Sequence, residues 1–331
     1  MTSGRTTSRQ WWRRLAMAAG LAAGMLAAHP AHGDTRIEKH LALAPGGRLS
    51  VKTEVGRVVV RGGAASGATV VVTADRDDLD KDYEMTFETG PGEARVVVKR
   101  RGRGWSWFDG WRSWRGHVEV EVSVPRATAV SVQASGGGID VSGLAGDTEL
   151  SSSGGGVAAH DLAGRLEARS SGGAVEVREL RGDLHLTSSG GGVRAAAVAG
   201  AVEAWSSGGG VHLEQVAGSV RAKSSGGGVT IRDAGGRVEA WSSGGSVAVS
   251  FAAGNAQGGD ISSSGGGVEV RLDPAVGLDL DAASSGGSVS CDLPVTVQGK
   301  ISRASLHGVL GGGGARLHLH SSGGGIRIGP R

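Results

Sequence analysis

Residues 166–183 read LEARSSGGAVEVRELRGD, and residues 184–201 read LHLTSSGGGVRAAAVAGA. The two stretches align without a gap, apolar on apolar and glycine on glycine. Their Ser-Gly-Gly recurs at Ser135, Ser153, Ser171, Ser189, Ser207, Ser225 and Ser243, and the spacing never changes. It returns after slightly longer intervals at Ser264 and Ser285, and a last copy begins at Ser322. Fixed self-similarity of this length marks a solenoid, in which each repeat lays one coil on the last.

The columns of the repeat show which side chains face inward. One holds Ile139, Val157, Val175, Val193, Val211, Val229 and Val247. Others run Leu144, Leu162, Leu180, Val198; Leu166, Leu184, Val202, Val220; and Leu150, Ala168, Leu186, Ala204. The columns between them are polar or mixed, as in Glu149, Glu167, His185, Glu203, Arg221 and Glu239. Alternation at period two predicts strands with one buried face. Each coil therefore holds two short strands, with one corner at the Gly146, Gly164, Gly182 column and the other at Ser-Ser-Gly-Gly. The fold expected is an all-β, single-chain parallel β-solenoid, β-helix-like, with 18-residue coils and irregular β caps.

Composition agrees. The chain has 62 Gly and only 7 Pro. So many glycines are costly in entropy unless fixed turns use them, and the repeat supplies those turns. Cys291 is the sole cysteine, so no internal disulfide can hold the coils and packing must do so.

The start of the chain reads as a secretory signal. Arg5, Arg9, Arg13 and Arg14 precede an apolar stretch from Leu15 to Ala28, and Ala31-His32-Gly33 is a plausible cleavage site. The stretch is shorter than the roughly 20 residues a membrane span needs, so no transmembrane span is expected after signal removal. The whole chain has 35 basic and 32 acidic side chains. Without those four arginines the balance is 31 against 32, which gives no reason to expect a nucleic-acid partner. The division expected is a signal at residues 1–33 and an irregular β region capping the solenoid at 34–134. Regular coils follow at 135–253, then longer coils and a C-terminal cap at 254–331.

Leu49-Ser-Val, Gly56-Arg-Val-Val-Val60, Glu119-Val-Glu-Val-Ser-Val-Pro125, the Ser-Gly-Gly-Gly-Val coils and the ending from Gly311 to Ile328 form a recognisable series. Over roughly residues 40–330 it resembles the bacterial putative-adhesin family, built from a β-strand-repeat domain of unknown function. The resemblance implies an adhesive role and supplies no catalytic residues.

Two features could carry binding. Lys99–Gly116 reads KRRGRGWSWFDGWRSWRG, placing Trp105, Trp107, Phe108, Trp111 and Trp114 beside Arg101, Arg103, Arg112 and Arg115. Its glycines predict a loop between strands. Such a loop can stack on sugars or sit at a membrane interface, or it can fold back as a cap over the solenoid. The second feature is Trp205, Lys223 and Trp241, which share one outward column and form a small aromatic and cationic ladder, or ordinary surface decoration. The Ser152, Ser170, Ser188 column is expected to bond to the turn backbone.

Several chemistries find no support. Strands, not helices, follow the glycine runs, so no phosphate loop is expected. Only Asp140 has the position that calcium-binding β-rolls fill with Asp in coil after coil. His307, His318 and His320 could bind a metal but lack an evident acid or Cys partner, so no metal or cofactor is assigned. The function expected is a non-catalytic, exported, adhesin-like surface or envelope scaffold, periplasmic or extracellular. Its partners would be cell-surface glycan, peptidoglycan, lipopolysaccharide or another envelope protein. The alternatives are a periplasmic regulatory or envelope-stress partner protein and, behind it, a polysaccharide-active enzyme.

Overall fold

A strand with alternating apolar side chains cannot bury them alone, and a coil of two such strands buries them only between its own halves and its neighbours. The computed structural model describes residues 35–75, 82–101, 118–298 and 302–331, and shows this arrangement. The strands of these residues form two long sheets, one of 14 strands and one of 15. Each regular coil gives one strand to each sheet. Leu166–Ser170 lies in the second sheet, the chain turns at Ser171-Gly172-Gly173, and Val175–Arg181 lies in the first. Stacked coils pair in parallel, with Val157 on Val175 on Val193 and Leu166 on Leu184 on Val202. The predicted inward columns are buried. The core between the sheets is made of Val, Leu, Ile and Ala, and among the described residues Phe251 is its one fully buried aromatic. The fold is the expected all-β parallel solenoid.

The serine at the end of each second-sheet strand of the regular coils also points inward. Ser170 is 3% exposed; its Oγ donates to the Gly155 carbonyl of the preceding coil at 2.9 Å and accepts the Gly173 N–H at 2.9 Å. Ser224 and Ser263 do the same on their own coils. One hydroxyl thus satisfies two backbone groups that a tight corner would strand. The glycines there are needed for close approach. A Cβ at Gly209 would come within 2.5 Å of the Gly192 nitrogen in the coil before it. A Cβ at Gly210 would come no nearer than 3.0 Å to anything, and the equivalent positions are in fact Ala174 and Ser246.

The other corner holds a regularity hidden in the sequence. Asp161, Glu179, Ala197, Gln215 and Asp233 all have left-handed backbone, with φ between 51° and 57°. Each is the second of two outward residues before an inward apolar one, and the strand register skips it, pairing His160 with Arg178 and then Leu162 with Leu180. This is a left-handed kink repeated in register coil after coil, and it returns Leu162, Leu180 and Val198 to the core.

Both ends depart from sequential stacking. The N-terminal coil, Arg48–Thr53 with Arg57–Gly62, does not end the stack. It lies between the coil Ala129–Ala134 with Ile139–Ser142 on one side and the strands Glu93–Arg100 and Val118–Val124 on the other. Likewise Ala315–Ser321 with Ile326–Pro330 is inserted between Gly259–Ser263 with Val268–Leu272 and Leu278–Ser284 with Val289–Cys291. Beyond these, antiparallel strands close the sheets. Thr35–Leu41 lies on Ala68–Ala74, Tyr83–Gly90 on Glu93–Arg100, and Val295–Val297 on Ser305–Leu310. Charged residues on the outermost strands, such as Glu38, Lys39, Glu84 and Glu88, discourage further strand addition.

Candidate binding surface

Every second residue of a strand faces outward, so register decides which side chains line up on the outer faces. On the second sheet Trp205 pairs with Lys223 and Lys223 with Trp241. Strands stack about 4.8 Å apart, so the two indoles stand about 10 Å apart with one ammonium between them. Both Trp side chains are half-buried and Lys223 is exposed. The ring contact at Trp205 is with His185, edge-on at a centroid distance of 4.5 Å and an angle of 65°. That contact braces the indole against the sheet.

Beside this ladder runs a row of charges. His185 Nδ1 lies 3.2 Å from Glu203, Arg221 bridges Glu203 at 3.5 Å and Glu239 at 2.9 Å, and Arg237 reaches Asp260 at 2.6 Å. The hydrogen bond and charge of Glu239 raise the already high pKa of Arg221. These carboxylates are engaged by cations and are poorly placed to act as a general acid and base pair. No ion pair or hydrogen bond of the Lys223 side chain is present among the described residues, so its ammonium is open to a ligand.

The other predicted residues fall differently. Trp105, Trp107, Phe108, Trp111, Trp114, Arg103, Arg112 and Arg115 lie outside the described residues. Arg101 is described and exposed, and its N–H donates to the Asp82 carbonyl at 2.9 Å. The flanking strands are Glu93–Arg100 of the second sheet and Val118–Val124 of the first.

Two of the histidines weighed as metal ligands meet an acid that the sequence did not disclose. His307 Nδ1 lies 2.9 Å from Asp281 Oδ1 and His318 Nδ1 lies 3.3 Å from Asp281 Oδ2; Arg316 holds the same carboxylate. Burial opposes ionisation of Asp281, but the Arg316 hydrogen bond and the two imidazoles outweigh it, and its pKa lies below the ordinary value. Among the described residues no group of three or more His, Cys, Asp or Glu is arranged to hold a metal ion. Burial raises the pKa of the half-buried Cys291 thiol, which makes it a poor nucleophile. Among the described residues no helix is long and apolar enough to cross a membrane.

Several solved structures are similar to this chain. A putative adhesin from Bacteroides fragilis is 11% identical and matches over 90% of this chain and 98% of its own, with a TM-score of 0.36. A putative adhesin from Parabacteroides merdae is 10% identical over 90% of this chain and 96% of its own, with a TM-score of 0.37. A protein from Parabacteroides distasonis described as a putative lipid binding protein is 11% identical over 90% and 97%, with a TM-score of 0.36. No curated protein matches the sequence. The Toastrack DUF4097 family model matches residues 47–329, and the chain belongs to this family, a domain of unknown function.

Proposed function

We propose that this chain is an exported, non-catalytic scaffold of the cell envelope that binds a surface glycan through the outer face of its second sheet. The observation that carries the reading is the in-register Trp205–Lys223–Trp241 ladder. Two indoles two coils apart offer stacking platforms for successive units of an extended sugar chain, and the ammonium between them can meet a hydroxyl or an acidic group. The rigid stack holds all three in place, so little ordering is lost on binding. Export is supported by the arginine-led apolar segment at the start of the chain. The Trp105–Trp114 segment with its arginines would supply a second contact of the same kind, and two weak contacts on one chain gain by multivalency.

The test is co-sedimentation of the mature protein with peptidoglycan, lipopolysaccharide and whole cells. A Trp205→Ala/Trp241→Ala variant runs beside it, and a second variant changes Trp105, Trp107, Trp111 and Trp114 to Ala. The parent should pellet with at least one of the three, and loss of the ladder should weaken this by roughly tenfold, equivalent to about 1.4 kcal/mol. A folded ladder variant that pellets like the parent would refute the site.

A further inference from the structure

The outer face of the first sheet carries a second feature, on the opposite side from the tryptophans and independent of them. Each regular first-sheet strand turns two side chains outward ahead of its left-handed residue. Along successive coils one column runs Glu176, Arg194, His212, Thr230, and the other Arg178, Ala196, Glu214, Arg232, all in register. Ala196 is the short member of its column. Its methyl group lies between the long side chains of Arg178 and Glu214, and the gap opens a depression of about 400 Å³, walled by Arg194, His212 and Arg232. That is a normal size for a small-molecule site, which spans roughly 300–1,000 Å³.

The charges of this depression are unevenly matched. Arg178 is tied to Glu176. Among the described residues the Arg194 and Arg232 side chains make no ion pair or hydrogen bond, whereas Arg57 and Arg61 on the same face each hold a carboxylate at 2.7 Å. The two free guanidiniums are one coil to either side of His212. Burial first, then the positive fields of Arg194 and Arg232, hold the His212 imidazole below its ordinary pKa. Glu214, on the same strand as His212, is the one lining carboxylate not tied to an arginine by an ion pair, so Arg194 and Arg232 leave the depression with an excess of positive charge. A free guanidinium presents its donors as a planar fork that fits two oxygens of one anion.

We propose that the depression between Arg194, His212 and Arg232 is a binding site for a phosphate or sulfate group, either free or pendant on a polysaccharide. The anion would rest over Ala196 and His212, with a guanidinium from each side. Glu214 lines the depression beside Arg232, and Glu176 lines it beside Arg194.

An NMR pH titration of the His212 ring on the mature protein tests the proposal, with His212→Gln used to assign the signal. Inorganic phosphate should raise the His212 pKa, because a bound dianion offsets the two arginines. Arg194→Ala/Arg232→Ala should raise it without phosphate and weaken phosphate binding by roughly tenfold or more, the loss expected for charge-assisted contacts. Glu214→Gln should tighten binding, and Arg327→Ala, elsewhere on the same face, should leave it unchanged. Dextran sulfate against neutral dextran separates the sources: tighter binding than inorganic sulfate favours the pendant group, and equal binding favours the free ion. If the double variant loses its circular dichroism, Arg194→Gln is read in its place. A His212 signal indifferent to phosphate, or a folded variant that binds like the parent, would overturn the site.

Discussion

From Thr148 to Val249 each coil rests on the coil just before it in the chain, while at both ends the terminal coil is inserted between coils distant in sequence. Arg48 pairs with Ala129, and Gly259 pairs with Leu317, in each case several coil-lengths further along the chain. The strands are alike in the two regions. What differs is the loop closure needed to form them, and long-range pairs give their reward only after that entropy has been lost. The middle can grow one coil at a time, whereas each end must assemble as a block. The middle therefore behaves as a tolerant array that presents its outer faces, and the ends as locks that keep a stack of parallel strands from fraying or adding strands.

The comparison breaks most visibly under deletion. Removing residues 315–331 takes away Leu317, Leu319, Ile326 and Ile328, all buried, and leaves an empty layer inside the stack. At about 1.5–3 kcal/mol for each large apolar side chain, the loss is about 6–12 kcal/mol, enough to unfold the C-terminal end. Removing residues 190–207 joins Ser189 to Gly208 in phase and should leave a shorter, folded protein. Circular dichroism and thermal unfolding of the two deletions measure the contrast.

Within the middle, Leu186→Ala should cost about 2–5 kcal/mol by leaving a cavity between the sheets. Gly209→Ala forces a Cβ against backbone and should cost about 1–3 kcal/mol, while Gly210→Ala next to it should be nearly neutral. Ser206→Ala leaves the Gly191 carbonyl without its 2.9 Å donor, a loss of about 1–3 kcal/mol. Denaturant melts read all four.

Acid should separate the regions again. Asp281 has its folded pKa depressed, so the stability it adds at the C-terminal end is fully present above its unfolded value of about 3.9. That stability is lost as pH falls through the folded value. Hydrogen exchange should show the Leu278–Ser284 and Ala315–Ser321 strands loosening before the middle coils in this range, and Asp281→Asn should remove the difference. The smallest effect is expected at the left-handed kink. Ala197→Gly relieves left-handed backbone at φ 57° and should stabilise by about 0.5–1 kcal/mol after the entropy of glycine is counted.

The middle was legible because one period fixes everything in it. The Val157, Val175, Val193 column could be read as core, and the Ser170 column as turn-bonded, without knowing any distant contact. The ends were not legible, since Val58, Val60, Leu317 and Leu319 alternate as any strand does and nothing local says which neighbour they choose. The kink was hidden because Asp161, Glu179, Ala197 and Gln215 share a conformation but no chemistry. On the second sheet the Trp205–Lys223–Trp241 ladder followed from the repeat. The Asp281 cluster did not, because the terminal coil brings His318 beside a carboxylate 37 residues away in sequence. The first-sheet depression also escaped notice, since its signal is a single short residue, Ala196, among long ones.

Cysteine cross-linking tests the inserted terminus most directly, in a Cys291→Ser background. Asp260 pairs with His318, and His318 with Asp281, so the terminal coil separates Asp260 from Asp281. A disulfide needs Cα atoms about 4.4–6.8 Å apart, which strand neighbours satisfy and strands two apart do not. Asp260→Cys/His318→Cys should therefore bridge under mild oxidation, and Asp260→Cys/Asp281→Cys should stay reduced. A bridge in the second pair and none in the first would mean that the coils stack in chain order and that the ends are not interleaved.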